Sequence, residues 1–460
     1  MGRLFGADGA VKGEALSDLS CELAMAIGRA CAYELSKRNH RRAKILIGKD
    51  TRSSCKILES SLIAGICSAG GDADLLGVVP TPAVAYLTVK YGADAGIMVS
   101  ASHNSFEFNG IRIFSASGDK LNDSVEAEIE RLVLESPDEI PNADPGNLGD
   151  ILTEKNAEWD YVRYLLRDIQ VDLGRLRIVV DCANGAAYET AVKFFRGLGI
   201  NAKFLNVEPN GVNINEDCGT EDMSALCKAV LDSRAHCGIA LDGDGSRCLM
   251  VDEKGEPVDP DKMLAALAYF MKQEKTLSAN TCVVTRATNL GFFRWAKENG
   301  IVTSAASQVS EHSIHDRLMT DGYTLGADAS GRFLFGKLPD TADGELASAK
   351  MLEVMAKTGH KLSEIAAIFT PYPTIDVDVK IRHECKNMWE QVPEITEMLD
   401  YCSEKLAGDG RIYIRESAAE PLIRVTAEGR DEEIIYQYAQ AAAQTVMEHI
   451  GEQEPGNENS

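Results

Sequence analysis

Short apolar runs alternate with stretches of helical periodicity along most of this 460-residue chain. The run AKILIG at residues 43–48 is typical of a buried strand, residues 54–69 are typical of a helix, and residues 73–78 of a further strand. The alternation starts again at residues 176–181 and at residues 281–285. Such a pattern predicts α/β domains in which helices cover parallel or mixed sheets, and loops at the carboxyl ends of strands carry the chemistry.

A first helix is predicted over residues 14–35. Apolar side chains recur there every three or four residues, which places them on one helical face. They are Leu16, Leu19, Leu23, Ile27, Cys31 and Leu35.

The sequence changes character after residue 369. Residues 375–381 alternate apolar and charged side chains, which predicts a half-exposed strand of an antiparallel sheet. A last amphipathic helix is predicted from Ile435, Tyr438, Ala442, Val446 and Ile450. This final part of the chain is therefore predicted to be a small α+β domain.

Two segments rich in proline and acidic residues, 135–145 and 256–260, suit domain boundaries. The predicted organisation is three α/β domains, a smaller α+β domain and a disordered polar tail. Their predicted ranges are residues 1–145, 146–255, 256–368, 369–450 and 451–460.

The composition restricts the partners of the chain. Acidic residues number 71 and basic residues 47, which gives a net charge of −24 and a field that repels nucleic acid and anionic membranes. The 12 cysteines stand singly, without the pairing expected of a metal site or a disulfide framework, and are predicted to be reduced. The first residues lack the apolar core of a signal peptide, so a cytoplasmic protein is expected.

A serine-rich loop, SASHNS at residues 100–105, follows the apolar run AGIMV at residues 95–99. A serine at the carboxyl end of a strand can act as an exposed nucleophile, and nearby polar groups can stabilise a phosphoryl group. A polar turn that caps the next element is the commoner explanation of this spacing.

A second loop, LDGDGSR at residues 241–247, carries carboxylates at alternate positions. Such carboxylates can converge on Mg²⁺, which prefers oxygen ligands together with phosphate. Asp-Gly pairs are equally typical of ordinary hairpin turns.

Two further loops, LGADASGR at residues 325–332 and RESAAEPLIR at residues 415–424, combine small residues with Ser, Asp and Arg. These side chains suit recognition of hydroxyl and phosphate groups. For each of the two loops taken singly, an ordinary surface loop with a solvated arginine is the commoner explanation.

Together, and in this order, the four loops resemble the signature set of the α-D-phosphohexomutase superfamily. The resemblance extends over nearly the whole chain and is strongest to the bacterial phosphoglucosamine mutases. It rests on GVVPTPAVAY at residues 77–86, DCANGAAY at residues 181–188 and NIN at residues 213–215 ahead of Cys218. It implies three related α/β/α domains with mixed sheets and a smaller C-terminal α+β domain, arranged around a central cleft.

The resemblance also implies a reaction. Ser102 would be a phosphoserine that transfers its phosphoryl group to glucosamine 6-phosphate. The bisphosphorylated sugar would turn over and return the other phosphate, leaving glucosamine 1-phosphate for amino-sugar and cell-wall precursor synthesis. A homodimer is left open.

Site residues follow from the same resemblance. The implied catalytic residues are Ser102, His103, Asn104, Lys12, Arg112 and Arg247. Mg²⁺ would be held by Ser102, Asp242, Asp244 and Ser246. Sugar and phosphate would be bound by Asp328, Ser330, Arg332, Arg415, Ser417 and Arg424.

Several of these positions depart from the family pattern. Ser246 replaces a third metal-binding Asp, Arg112 replaces a Lys, and Lys12 replaces an Arg. Arginine is not deprotonated in proteins, so Lys12 is the candidate for the proton-transfer role and Arg112 supplies charge. The remaining replacements are Asp328 for Glu, Arg332 for His, Ala418 for Gly, Ala419 for Thr and Ser105 for Pro.

These departures leave alternatives to a phosphoglucosamine mutase. One is a catalytically impaired relative that binds sugar phosphates or a partner, and another is a phosphomannomutase or phosphoglucomutase. A magnesium-dependent phosphatase built on Asp242 and Asp244 would leave the other three loops unexplained.

Overall fold

The computed structural model describes residues 4–6, 9–336, 341–386, 388–416 and 421–452. The chain forms two compact units. The first comprises residues up to 288 together with 299–368, and the second comprises 289–298 together with the residues from 369 onwards.

The first sheet of the first unit carries strands in the order β1-β5-β4-β2-β3-β6. These are β1 (Ala10–Glu14), β2 (Lys44–Lys49), β3 (Asp72–Val78), β4 (Ala95–Val99), β5 (Phe108–Ser115) and β6 (Ile151–Thr153). β4, β2, β3 and β6 are parallel, whereas β5 is antiparallel to both β4 and β1. The accompanying helices are α1 (Cys21–Asn39), α2 (Cys55–Ser68), α3 (Thr81–Lys90), α4 (Asp123–Leu134) and α5 (Ala157–Asp168).

The predicted start of the first helix is wrong. Glu14 ends β1 and pairs with Phe108, and α1 begins only at Cys21, where the side chain of Ser20 accepts a hydrogen bond from the Leu23 amide. Leu16 has a left-handed φ of 64° and is exposed. Strand pairing with a distant segment therefore overrides the local helical spacing.

The second sheet has the order β11-β10-β9-β7-β8. Its strands are β7 (Arg177–Asp181), β8 (Asn201–Leu205), β9 (Cys237–Leu241), β10 (Cys248–Asp252) and β11 (Pro257–Val258). Its helices are α6 (Thr190–Gly197) and α7 (Ser224–Ser233). β8, β7 and β9 are parallel, and β10 and β11 are antiparallel additions.

The third sheet has the order β13-β12-β14-β15. Its strands are β12 (Thr281–Val284), β13 (Val302–Ala305), β14 (Gly326–Ala327) and β15 (Phe333–Leu334). The helices of this stretch of chain are α8 (Pro260–Gln273), α9 (Leu290–Glu298), α10 (Glu311–Asp321), α11 (Gly344–Thr358) and α12 (Leu362–Ile365). All three sheets mix parallel and antiparallel pairs, which confirms the predicted α/β class.

The second unit contains α9 and an antiparallel sheet in the order β16-β18-β17. Its other elements are β16 (Thr374–Lys380), β17 (Gly410–Glu416), β18 (Leu422–Gly429), α13 (Pro393–Leu406) and α14 (Glu432–Ile450). Both the half-exposed strand and the last amphipathic helix are confirmed, since α14 buries Ile435, Ala442, Val446 and Ile450. The exact domain boundaries stay predictions.

Two other features follow from the described residues. All 12 cysteines are free thiols, as predicted. In the described part of the chain, every helix is too short or too polar to cross a bilayer.

Two acidic side chains, Asp343 and Glu345, are buried together at the start of α11. Tyr161 Oη donates to Asp343 Oδ2 at 2.8 Å, and Thr190 Oγ1 donates to Glu345 Oε1 at 2.6 Å. Within the described residues, Glu345 Oε2 has no hydrogen-bond partner. Burial raises the pKa of Asp343 to about 6 and the pKa of Glu345 well above its usual value.

We expect Glu345→Gln to change the pH dependence of stability. Because these carboxyls ionise at lower pH in the unfolded chain than in the folded protein, the free energy of unfolding falls as pH rises above their ordinary pKa. Removing one of the two groups reduces that fall. The Tm of Glu345→Gln minus that of wild type should therefore be more positive at about pH 8 than at about pH 5.

Thermal denaturation at the two pH values measures this difference. Glu135→Gln, at an exposed position, is the control, and its Tm minus that of wild type should be the same at both pH values. An equal Tm difference for Glu345→Gln at both pH values would contradict the expectation.

Candidate active site

The serine loop follows the carboxyl end of β4, as the sequence predicted. Ser102 adopts a left-handed φ of 52°, which is uncommon for a residue with a side chain. Its Oγ donates a hydrogen bond to Asp242 Oδ2 at 2.7 Å. The nucleophile candidate and the carboxylate loop are therefore in direct contact.

The carboxylate loop follows β9 and is buried. Asp242 and Asp244 expose almost none of their surface, and Ser246 Oγ donates to Asp244 Oδ1 at 2.7 Å and to Asp242 Oδ2 at 3.4 Å. Burial and the adjacent Asp244 carboxylate raise the pKa of Asp242. Two carboxylates this close and this buried disfavour joint ionisation, which a bound cation would relieve.

The donor set fits a hard cation. Asp242 and Asp244 supply carboxylate oxygens, and Ser102 and Ser246 supply hydroxyl oxygens beside them. The described residues hold no group of three or more His, Cys, Asp or Glu side chains that could bind a metal, so the two aspartates have no third acidic partner. Mg²⁺ commonly accepts one or two carboxylates together with phosphate oxygens.

Close backbone packing fixes this loop. A Cβ at Gly243 would lie 2.5 Å from the carbonyl oxygen of Ser102, and one at Gly344 would lie 2.4 Å from that of Arg247. Thr81, the first residue of α3, donates through its Oγ1 to Asp244 Oδ2 at 2.6 Å. The serine loop and the first residues of α3 and α11 thus pack against the carboxylate loop.

A cavity of about 300 Å³ opens above the two loops. The acidic and basic residues that line it come from positions that are far apart in the sequence. Of the residues predicted from the sequence, it is lined by Lys12, Ser102, His103, Arg112, Asp244, Ser246, Arg247 and Arg332. Four cationic side chains in one cavity suit a substrate with phosphate groups.

His103 is held as a neutral imidazole. Burial, followed by the Arg247 guanidinium, lowers the pKa of His103 to about 4. Arg247 Nη2 lies 2.9 Å from His103 Nδ1, and because a guanidinium cannot accept, Nδ1 is the acceptor. The ring proton is therefore on Nε2, so His103 can donate a hydrogen bond at neutral pH.

Arg112 and Lys12 lie on neighbouring strands, β5 and β1. Arg112 Nη1 is 2.9 Å from Glu311 Oε2 at the first turn of α10, and its guanidinium stacks over the ring of Phe114 at 4.9 Å. Glu311 Oε1 also accepts from the Ala342 amide at 2.5 Å. Glu311 thereby fixes the position of Arg112 in the cavity wall.

The sugar-loop candidates form the turn between β14 and β15. Asp328 is buried and accepts from Ser330 Oγ at 2.6 Å and from the Ser330 amide at 2.9 Å. Arg332 Nη1 lies 3.6 Å from Asp328 Oδ2. Ser330 lines an adjoining cavity of about 420 Å³, which shares Arg247 with the first cavity.

The phosphate-loop candidates belong to the second unit. Arg415 on β17 pairs with Arg424 on β18, and Arg424 forms a two-pronged ion pair with Asp378 at 2.6 and 2.8 Å. Ser417, Ala418 and Ala419 lie outside the described residues.

Four contributors were missed from the sequence: Arg52, Thr81, Asn215 and Glu311. A signal existed for Arg52, which follows the buried strand β2 just as Ser102 follows β4. Asn215 and Glu311 come from irregular or helical positions, whose place in the site depends on contacts between distant segments.

Comparison with known families matches the chain in four successive segments. The chain matches four domains described for phosphoglucomutase/phosphomannomutase. They are α/β/α domain I at residues 2–139, α/β/α domain II at 160–255, α/β/α domain III at 259–372 and the C-terminal domain at 377–445. The chain belongs to the phosphoglucomutase/phosphomannomutase family. The predicted superfamily and the predicted class of intramolecular phosphotransferase are thereby confirmed.

Relatives match along nearly the full length of the chain. A phosphoglucosamine mutase from Caldicellulosiruptor bescii is 43% identical over 452 residues, covering 98% of this chain and 100% of that protein. One from Clostridium novyi is 41% identical over 449 residues, covering 97% and 99%. A phosphoglucomutase/phosphomannomutase family protein from Burkholderia thailandensis shares the fold with a TM-score of 0.79, at 20% identity and 96% coverage of both chains.

A more distant structure has the same fold. It is the Aspergillus fumigatus N-acetylphosphoglucosamine mutase, solved in complex with GlcNAc-6P and magnesium. Its TM-score is 0.67 at 16% identity, and the match covers 97% of this chain and 95% of that one.

Proposed function

We propose that this protein interconverts glucosamine 6-phosphate and glucosamine 1-phosphate through a phosphoserine at Ser102. The observation that carries the proposal is that Ser102, which lines a cavity with four cationic side chains, donates a hydrogen bond from Oγ to buried Asp242. The full-length relatives named phosphoglucosamine mutase support the choice of the amino sugar.

The reaction consists of two phosphoryl transfers. In the first, the bond from Ser102 Oγ to phosphorus breaks, a sugar hydroxyl forms a new bond to phosphorus, and the hydroxyl proton passes to a base. The sugar then carries two phosphates and reverses its orientation in the site. In the second transfer, the bond between the other phosphorus and its sugar oxygen breaks, Ser102 Oγ forms a new bond to that phosphorus, and a proton passes to the sugar oxygen that is released.

The residues of this chain divide the work. Arg112, Arg247 and Arg332 would neutralise the charge of the transferring group, and His103 would donate a hydrogen bond from Nε2. Asp328 and Ser330 would meet sugar hydroxyls. Arg415, Ser417 and Arg424 would bind the phosphate that does not react, with Arg424 oriented by Asp378.

Mg²⁺ is the metal that we assign to Asp242, Asp244, Ser246 and the phosphoserine, because all four are oxygen donors. When bound, it would reduce the negative charge on the transferring phosphoryl group.

The test is ³¹P NMR of the purified protein with Mg²⁺, a hexose 1,6-bisphosphate primer and glucosamine, glucose or mannose 6-phosphate in turn. Fastest formation of glucosamine 1-phosphate is the expected result. Faster conversion of another sugar would reassign the substrate to a phosphoglucomutase or phosphomannomutase. Binding without turnover would indicate an impaired relative, and net release of inorganic phosphate a phosphatase.

Lys12 is the proposed proton carrier, since the three arginines of the cavity cannot accept a proton. We expect Lys12→Met to lower kcat by about 100-fold, the usual contribution of general acid–base catalysis. Initial rates in the same assay measure it, with Lys56→Met, an exposed position on α2, as the control. Undiminished turnover by Lys12→Met would contradict the assignment.

A further inference from the structure

We infer that Arg52 and Asn215 are positioning residues that together hold the Ser102 loop in its reactive conformation. The inference rests on the proposed function, because it assigns Ser102 as the group that reacts. Neither side chain lines the 300 Å³ cavity, so any effect on catalysis acts through the loop.

Arg52 binds three backbone carbonyls of the loop. Its Nη2 donates to the carbonyl oxygens of Ser102 and Asn104, each at 2.9 Å, and its Nη1 donates to that of Ser105. The side chain is completely buried. A planar guanidinium with five donors in fixed directions suits several acceptors at once, whereas the single ammonium of lysine does not.

Arg52 also reaches the amide side of Ser102 through two intermediates. Its Nε donates to Asp50 Oδ2 at 2.8 Å, and the same oxygen accepts from Ser100 Oγ at 2.6 Å. Ser100 Oγ in turn accepts from the Ser102 amide at 3.0 Å. Both the amide and the carbonyl of Ser102 are therefore held by one hydrogen-bond network.

Asn215 binds two of the same carbonyl oxygens. It lies between β8 and α7, and its Nδ2 donates to the carbonyl oxygens of Ser102 and Asn104, each at 2.9 Å. Carbonyl oxygens can only accept hydrogen bonds, so the side-chain amide of Asn215 must face them with its NH₂ group and not with its oxygen. The carbonyl oxygens of Ser102 and Asn104 thus each accept hydrogen bonds from both Arg52, which follows β2, and Asn215, which follows β8.

This double contact matters because Ser102 has a left-handed backbone. That conformation is disfavoured for a residue with a side chain, because its Cβ crowds the following carbonyl oxygen. Bonds to the Ser102 carbonyl orient the peptide group that follows it and keep Oγ directed at Asp242. Without them the loop would relax, and Oγ would lose its alignment with the phosphoryl group.

Asn215→Asp and Arg52→Lys test the inference. Aspartate has the shape of asparagine but offers an acceptor to two acceptors, and lysine retains the charge of arginine without its fork. We expect kcat to fall by about 100-fold for either variant, with KM little changed, since misplacement of a reacting group affects the transition state most. Thr51→Val is the control, because Thr51 donates to the Asn184 carbonyl and not to the loop.

A second measurement does not depend on turnover. Amide hydrogen exchange of the peptide covering residues 99–108 should be faster in Asn215→Asp than in wild type, and unchanged in Thr51→Val. If the wild type lacks mutase activity, the proposed function fails and the exchange measurement still decides the positioning role. The inference would be overturned if hydrogen exchange were unchanged in both Asn215→Asp and Arg52→Lys. A raised KM at unchanged kcat in these two variants would also overturn it.

Discussion

Ser102→Ala should abolish phosphoryl transfer while the protein remains folded. The substitution removes the oxygen that carries the phosphoryl group, and we expect loss of this nucleophile to lower kcat by about 10⁵-fold or more, the scale of losing a nucleophilic serine. The fold should tolerate it, since only the hydrogen bond to Asp242 is lost, a net contribution of about 1 kcal/mol.

Two measurements check this expectation. Intact mass after incubation with a hexose 1,6-bisphosphate should show one added phosphoryl group on wild type and none on Ser102→Ala, and ³¹P NMR should show no glucosamine 1-phosphate. Ser124→Ala, an exposed position on α4, is the matched control. Turnover by Ser102→Ala above the protein-free background would rule out the phosphoserine mechanism.

Asp242→Asn should change activity and stability in opposite directions. Asparagine removes one of two adjacent buried carboxylates, so the metal-free protein should have a higher Tm at neutral pH than the metal-free wild type. The variant also loses a charged metal ligand, and we expect kcat to fall by about 1,000-fold, the scale of losing an electrostatic contact to the transition state.

Thermal denaturation with and without Mg²⁺ separates the two effects. Mg²⁺ should raise the Tm of wild type and leave that of Asp242→Asn nearly unchanged, because binding to the folded state alone stabilises it. Asp217→Asn makes the same chemical change at an exposed position and should behave as wild type. Full magnesium stabilisation of Asp242→Asn would place the metal elsewhere.

The features that could be predicted from the sequence are those set by local pattern. Buried strands such as β2 and β9 consist of consecutive apolar residues, and polar loops at their carboxyl ends are visible without any tertiary information. For this reason Ser102 and Asp242 were found, and the structure brings their side chains to 2.7 Å.

The features that were missed depend on contacts between distant segments. Leu16 has helical spacing, but pairing of β1 with β5, about a hundred residues later, decides its conformation. Arg52 looks like an ordinary loop arginine until the carbonyls of residues some 50 positions away surround it. Nor could the Arg112–Glu311 pair be read from the sequence, since its partners are 199 positions apart.

Arg52 occupies the place that a structural metal ion fills in many other loops, as a central cation surrounded by carbonyl oxygens. Unlike a metal it cannot be removed by a chelator, and unlike lysine or histidine it keeps its charge at any pH at which the protein folds. Treatment with EDTA should therefore remove the Mg²⁺ that we propose at the carboxylate loop without unfolding the serine loop beside it. The metal-free protein would then be a suitable form in which to trap an unreacted sugar phosphate for crystallography.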